Sequence, residues 1–146
     1  MADWFNLARW SLSFLWIFTG LTSVYFSPDI GYHVLLKAGI TGVLADTLVY
    51  SGSVLDVLIG LWLLLGRGLV FCIVFQGAVI VVYTVLLSIV DASFWLHPFG
   101  PLTKNLPILV LLLAMLNNIQ AKSKFIKDVD IARVKDSAGV NDFDQR

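Results

Sequence analysis

One carboxylate interrupts the second long apolar block of this sequence. Asp56 lies within residues 48–65, which contain no other charged side chain. If this block crosses lipid, an ionised carboxylate at its centre costs about 2.5–3.5 kcal/mol on insertion scales. Gly52 and Gly60 lie four residues on either side of Asp56, so the three residues share one helix face. Glycines let another helix approach closely, and this face is therefore predicted to pack against a second span.

Arg9 is the candidate partner for this carboxylate. Arg9, Ser13 and Gly20 share one face of the first apolar block. A long arginine side chain can extend along a helix to place its charge at a distance from its own backbone. We therefore expect the first two spans to pack through small residues, with the Arg9 guanidinium reaching Asp56. The alternative is an Asp56 carboxyl that carries a proton.

Gln76 is a further polar side chain inside the apolar blocks. Its amide needs a partner on another helix, so a structural hydrogen bond between helices is the first interpretation. An amide, an arginine and an acid facing one apolar cavity, with tryptophans as flat walls, would also suit a quinone head and tail. The predicted ligand-binding residues within the spans are therefore Arg9, Trp16, Asp56, Trp62 and Gln76.

Both histidines fall between the apolar blocks. His33 and His97, with aspartates nearby, would form a metal or proton site if their two segments met. Their spacing matches no metal-binding motif, so no metal is predicted. A turn at His97 in which the ring caps a backbone group is the alternative. His97 and Lys104 are predicted to line the outer mouth of the ligand site, and no residue is assigned a catalytic role.

Composition indicates a membrane protein. Of the 146 residues, 58% are hydrophobic, whereas soluble domains contain about 45–50%. The net charge is zero, so no basic surface indicates nucleic acid as a partner. Four blocks approach the length that a helix needs to cross a bilayer, namely residues 7–26, 48–65, 69–90 and 105–121. We therefore predict an all-α membrane protein, with a four-transmembrane-helix bundle at residues 1–121 and a polar tail at 122–146.

The positions of lysine and arginine predict the orientation of these spans. With four spans, both ends of the chain share a side. That side would hold eight of the ten basic residues, namely Arg9, Arg67, Lys122, Lys124, Lys127, Arg133, Lys135 and Arg146. The predicted topology is N-in, C-in, with a cytoplasmic tail. A cleaved signal peptide is the competing interpretation of the first block, but no small-residue cleavage pattern follows that block.

Three segments resemble the DoxX-like family of integral membrane proteins. The run LDVLIGLWLLLG at residues 55–66 is similar to the second helix of that family, and residues 9–21 are similar to its first. The loop HPFGPLTKNLP at residues 97–107 resembles a block found in one subgroup. The resemblance extends over about residues 9–120. The positions that match the family pattern are Arg9, Asp56, Gly60, His97, Lys104 and Asn105.

This resemblance implies a four-helix fold in a bacterial inner membrane. Some relatives are subunits of quinone-linked oxidoreductases, including thiosulfate:quinone oxidoreductase, or act in thiol and oxidative-stress responses. The resemblance therefore implies a quinone as ligand and a soluble or membrane oxidoreductase as partner. Cys72 is the only cysteine. The chain thus lacks the paired cysteines of redox-active relatives, and dithiol exchange is excluded.

Two classes of function remain open at this point. The first is an accessory subunit of a quinone-linked membrane redox system, which binds an apolar ligand within the bundle and docks a redox partner. The lipid bilayer and a second copy of the chain are further candidate partners. The second class is a non-catalytic assembly or scaffold protein whose polar residues hold the helices together. A small-solute transporter has less support, because one embedded acid is little for a translocation path and no inverted repeat is apparent.

Overall fold

The computed structural model describes residues 3–26, 28–96 and 102–143, and its regular elements are all helical. The α-helices are α1 (Asp3–Leu21), α2 (Pro28–Lys37), α3 (Val43–Leu65), α4 (Leu69–Val90) and α5 (Asn105–Phe143). A π-helical segment, Thr22–Phe26, continues α1, and a 3₁₀ turn, Ala92–Trp95, follows α4. The chain divides into two units, Met1–Leu112 and Leu113–Arg146. The first turns of α5 belong to the first unit and the rest of α5 belongs to the second.

Apolar helices long enough to cross a bilayer confirm the membrane class. Among the described residues, three segments meet this condition: Val43–Leu65, Leu69–Val90 and Asn105–Arg133. They contain the predicted spans 48–65, 69–90 and 105–121. α1, which contains most of the predicted first span, is not one of the three. The all-helical membrane prediction is therefore confirmed, with three candidate spans.

A tight link joins α3 to α4, as the three-residue connection predicts. Gly66 and Gly68 both have positive φ angles, 68° and 62°, which glycine adopts at little cost. The Gly66 N–H donates to the carbonyl of Trp62 and closes the end of α3. The Trp62 indole Nε1 donates to the carbonyl of Arg67 at 2.8 Å. These bonds fix the turn that places α4 beside α3.

Small residues bring α1 into close contact with α3, which confirms the predicted packing. The Ser13 hydroxyl donates to the carbonyl of Gly60 at 2.6 Å. A Cβ on Gly60 would lie 2.6 Å from Ile17 Cγ1, and a Cβ on Gly20 would lie 2.6 Å from the carbonyl oxygen of Ser53. Residue numbers rise along α1 as they fall along α3, so the two helices run antiparallel. Backbone-to-backbone contact of this kind is typical of membrane helices that pack through small residues.

α2 lies on the segment between the first two predicted spans and is tied to its neighbours by polar contacts. Gly39 follows it with φ of 75°, and the N–H of Gly39 donates to the carbonyl of Leu36. Lys37, at the end of α2, forms an ion pair with Asp91, the residue that follows α4. The Tyr32 hydroxyl donates to Asp46 Oδ1 at 2.9 Å. α2 is therefore held against α3 and the end of α4.

α5 begins at Asn105, as the sequence predicts, but it continues past residue 121 to Phe143. The side-chain amide of Asn105 donates to Thr84 Oγ1 at 2.8 Å, which attaches the first turn of α5 to α4. Residues 108–138 contain neither proline nor glycine, so the backbone has no strong reason to leave the helix where its composition becomes polar. The described side chains beyond residue 121 are exposed.

Candidate functional site

Asp56 is a buried acid, and one of its carboxyl oxygens has no hydrogen-bond partner in the described part of the protein. Its residue is 7% exposed, and its Oδ1 atom is buried without a hydrogen bond. On the α1 side it is approached by Gly20, where an added Cβ would lie 3.2 Å from Asp56 Cβ. One turn earlier on α3, a Cβ on Gly52 would lie 3.4 Å from the hydroxyl of Tyr83 on α4.

The predicted contact between Arg9 and Asp56 is not made. Arg9 Nη1 lies 3.0 Å from the position that a Cβ on Gly66 would occupy, and Arg9 Nε is buried without a hydrogen-bond partner. Gly66 follows Asp56 by ten residues, which is about 15 Å along a helix. The guanidinium therefore lies at the carboxyl end of α3, where the helix dipole favours a cation. The prediction failed because Ser13 and Gly60 set an antiparallel register that places Arg9 near the end of α3.

The interhelical hydrogen bond predicted for Gln76 is present, and its partner is Trp16. The Trp16 indole Nε1 donates to Gln76 Oε1 at 2.8 Å. Gln76 Nε2 donates within α4 to the carbonyl of Cys72 at 3.2 Å and to Cys72 Sγ at 3.3 Å. Gln76 and Cys72 are fully buried, and Trp16 is 7% exposed. These contacts satisfy the amide on both sides, so Gln76 joins α1 to α4 and Cys72 packs as a small buried residue.

The remaining predicted ligand residues lie at separate places. Trp62 is 36% exposed and lies at the α3–α4 link, with its ring centroid 6.4 Å from that of Phe75. Lys104 is exposed in the turn before α5. His97 lies outside the described residues. The structure thus brings Trp16 to Gln76, and among the described residues no side-chain hydrogen bond or ion pair joins Arg9, Asp56, Trp62 or Lys104 to that pair or to one another.

An open cavity of about 370 Å³ lies between α2 and the start of α3. Its polar lining includes Asp29, Tyr32, His33 and Asp46, and its apolar lining includes Leu36. Because Tyr32 donates a hydrogen bond to the Asp46 carboxylate, its pKa is raised above the ordinary value for tyrosine. Three polar side chains of α2 line this cavity. It is a different place from the interior of the helix bundle, which the sequence predicted as the ligand site.

Tyr83 is the residue near Asp56 that sequence reasoning missed. It follows Gln76 by seven residues, or two helical turns, so both residues lie on one face of α4. That spacing was an available signal, because a phenol on the same face as a buried amide is directed toward neighbouring helices. Asp91, whose ion pair with Lys37 was likewise not predicted, follows α4. Its pKa is lowered, first by the hydrogen bond from Lys37 and then by bonds from Ser93.

Comparison with known proteins gives one match. The model of the DoxX-like family matches residues 13–113. No curated protein and no solved structure matches the chain. The matched segment covers well over half of the sequence and includes the α1–α3 interface, Asp56, Gln76 and Tyr83. With apolar helices that fit a multi-pass location in a lipid bilayer, the chain belongs to the DoxX-like family of membrane proteins.

Proposed function

We propose that this chain is an accessory subunit of a quinone-linked redox system in a bacterial inner membrane. In this function it binds a quinone-like or other apolar ligand beside Asp56 and docks a soluble or membrane oxidoreductase. Cys72 is the only cysteine, so the chain offers no dithiol exchange of its own in this function. Membership of the DoxX-like family supports the proposal, because some relatives in that family are subunits of such systems.

The unpartnered carboxyl of Asp56 is the observation that carries this proposal. A buried polar group without a hydrogen bond costs about 1–3 kcal/mol, and Asp56 Oδ1 is such a group. A quinol hydroxyl that enters from the lipid would donate to a carboxylate oxygen of Asp56, and a quinone carbonyl would accept from the carboxyl in its protonated form. Trp16 and Gln76 already satisfy one another, so we assign them to helix packing and keep Asp56 as the ligand contact.

A four-span, N-in, C-in arrangement is part of the same proposal. Arg9 lies beside Gly66, Ser13 bonds to Gly60, and Gly20 packs on Ser53. These contacts follow α3 from its end to its middle. α3 is long and apolar enough to cross a membrane, and a helix packed along it shares its depth. α1 and its π-helical continuation therefore serve as the fourth span.

A non-catalytic assembly protein is the second candidate function, and a specific observation favours it. The bond between Trp16 and Gln76 is complete, and Ser13 is bonded to Gly60. These buried polar groups join helices and leave no bonding capacity for a ligand at their own positions. In a scaffold, Asp56 would have a purely structural role.

Quinone retention separates the two functions. The wild-type protein, purified in mild detergent, is extracted with organic solvent, and its quinone content is measured per mole of protein. We expect the wild type to retain quinone and Asp56→Asn to lose most of it. Asp46→Asn is the matched control, because Asp46 lies on the same helix and is bonded to Tyr32 in the outer cavity.

Three outcomes decide the proposal. Retention that depends on Asp56 and not on Asp46 supports the ligand-binding subunit. A wild type that is empty, and whose melting temperature does not change with an added short-chain quinone, leaves the scaffold as the function. Equal loss in both variants would show that the quinone is held elsewhere and would overturn Asp56 as the contact.

A further inference from the structure

The Asp56 carboxyl lies where an ionised form has little to stabilise it. Asp56 is 7% exposed within a helix that is long and apolar enough to cross a membrane. A carboxylate removed from water needs a cation or several hydrogen-bond donors to offset the lost hydration. Its Oδ1 atom has neither among the described residues, and Arg9 lies against Gly66 instead.

The geometry of α3 directs this carboxyl toward Tyr83. Side chains on a helix lean toward the amino end, so the Asp56 carboxyl covers the turn that contains Gly52. The Tyr83 hydroxyl lies over that same turn, 3.4 Å from where a Cβ on Gly52 would be. Gly52 therefore leaves a space on α3 that both groups adjoin.

The other helix packed against Asp56 brings no charge to this position. α1 presents Gly20 to it, and the guanidinium of Arg9 is about three turns away at the end of α3. On α3 itself the nearest hydroxyl, that of Ser53, donates to the carbonyl of Val49. On α4, Tyr83 is the titratable group at this position, since its hydroxyl lies over the Gly52 turn that the carboxyl adjoins.

We infer that Asp56 and Tyr83 form a proton-binding site within the membrane, in which the carboxyl is protonated at neutral pH and a water molecule beside Gly52 links it to the phenol. The bonding requirements of the three groups match. The carboxyl and the phenol each offer a donor and an acceptor, and a buried water needs two to four polar partners. Of the two alternatives that the sequence left open for Asp56, an ion pair with Arg9 and a carboxyl that carries a proton, this site corresponds to the second.

This inference goes beyond the proposed function and does not require a ligand. It concerns the protonation of Asp56 in the protein by itself, and it holds equally for a redox subunit or a scaffold. Its test therefore uses the full-length protein in detergent after removal of bound lipid and quinone. A failure of quinone retention would leave the result of this test unchanged.

Infrared spectroscopy tests the site directly, because a protonated carboxyl has a C=O stretching band that a carboxylate lacks. We expect a wild-type band at pH 7 that is missing from Asp56→Asn. In Tyr83→Phe the band should move to higher frequency, because the carbonyl loses its hydrogen-bonded partner. The pH at which the band disappears should rise in the same variant, since the carboxylate loses a donor. Tyr50→Phe is the matched control, because Tyr50 is 55% exposed on the same helix as Asp56.

The possible results are distinct. A wild type without a band that depends on Asp56 at pH 7 would show that the carboxyl is ionised and would overturn the inference. A Tyr83→Phe spectrum equal to that of Tyr50→Phe would remove Tyr83 from the site and would equally overturn it. Size-exclusion profiles and thermal unfolding establish that each variant is folded, and Asp56→Glu, which restores a carboxyl, gives a second folded protein in which the band should return.

Discussion

At the scale of single residues, Gly60 is a point of close approach between α1 and α3. An added Cβ would lie 2.6 Å from Ile17 Cγ1 and 2.9 Å from the carbonyl oxygen of Ser13. To accommodate this Cβ, α1 and α3 would have to move apart. Gly60→Ala is therefore expected to lower the free energy of unfolding in detergent by about 1–3 kcal/mol.

Gly77→Ala is the control for that change. Gly77 also lies within a helix, and an added Cβ there meets no atom within 4 Å. Its free energy of unfolding should stay within about 0.5 kcal/mol of the wild type. If Gly60→Ala were as stable as Gly77→Ala, the close approach of α1 and α3 would be wrong.

The same residues show what could be predicted from the sequence. The four-residue spacing of Gly52, Asp56 and Gly60 predicted a face for close packing, and that face contacts both α1 and α4. The partner of Asp56 could not be predicted, because residue spacing along each helix fixes a face but not the register between two helices. Arg9 and Asp56 lie on the faces through which α1 and α3 pack, but at different positions along α3.

At the scale of helices, a hydrogen bond between Trp16 and Gln76 joins α1 to α4. In Trp16→Phe, Gln76 Oε1 would lose its donor in a fully buried position. We expect unfolding in detergent to become easier by about 1–2 kcal/mol. Trp10→Phe is the matched control, because Trp10 is 60% exposed on the same helix. Equal stability of the two variants would show that the hydrogen bond from Trp16 to Gln76 does not stabilise the folded protein.

α2 and the end of α4 are joined by an ion pair whose strength depends on pH. The hydrogen bond from Lys37 lowers the pKa of Asp91 below its ordinary value of 3.8. A carboxyl with a lowered folded-state pKa stabilises the protein above its unfolded-state pKa, and this contribution is lost as the pH falls through the folded-state value. The pair is thus fully effective at neutral pH and weakens below about pH 4.

Asp91→Asn should therefore be less stable than the wild type at pH 7, and the difference should shrink steadily below about pH 4. Thermal unfolding measured at a series of pH values checks this expectation. Asp130→Asn is the control, since Asp130 is exposed on α5, and it should follow the wild type at every pH. A stability difference for Asp91→Asn that does not change with pH would contradict the assigned ion pair.

At the scale of the whole molecule, the four apolar blocks of the sequence predicted the positions of α1, α3, α4 and the start of α5, but not the full extent of the helical structure. The predicted bounds 69–90 are those of α4, while α5 extends 22 residues beyond its predicted end at 121. Hydropathy measures how well a segment suits lipid and does not show where a helix ends. α5 becomes polar after residue 121, but no helix-breaking residue follows directly, so the helix continues. The same measure leaves α1 out of the three candidate spans, although its contacts with α3 indicate a shared depth.

The topology prediction depends on α1 and can be tested with single cysteines. Asn6→Cys, Thr41→Cys and Ser123→Cys each change an exposed position, and the natural Cys72 is fully buried. Intact cells are treated with a membrane-impermeant maleimide before and after permeabilisation. With four spans and both ends inside, only the cysteine at position 41 should be labelled in intact cells, and those at 6 and 123 should be labelled after permeabilisation.

The labelling of the cysteine at position 6 shows whether α1 crosses the membrane. If α1 does not cross, positions 6 and 41 lie on the same side and are labelled together, whereas position 123 is separated from them by three spans. If the orientation is reversed, positions 6 and 123 are labelled in intact cells and position 41 is protected. The wild type should remain unlabelled throughout, because Cys72 is buried beside Gln76. Since α1 packs antiparallel to α3 through the bond from Ser13 to Gly60, we expect positions 6 and 41 to be on opposite sides.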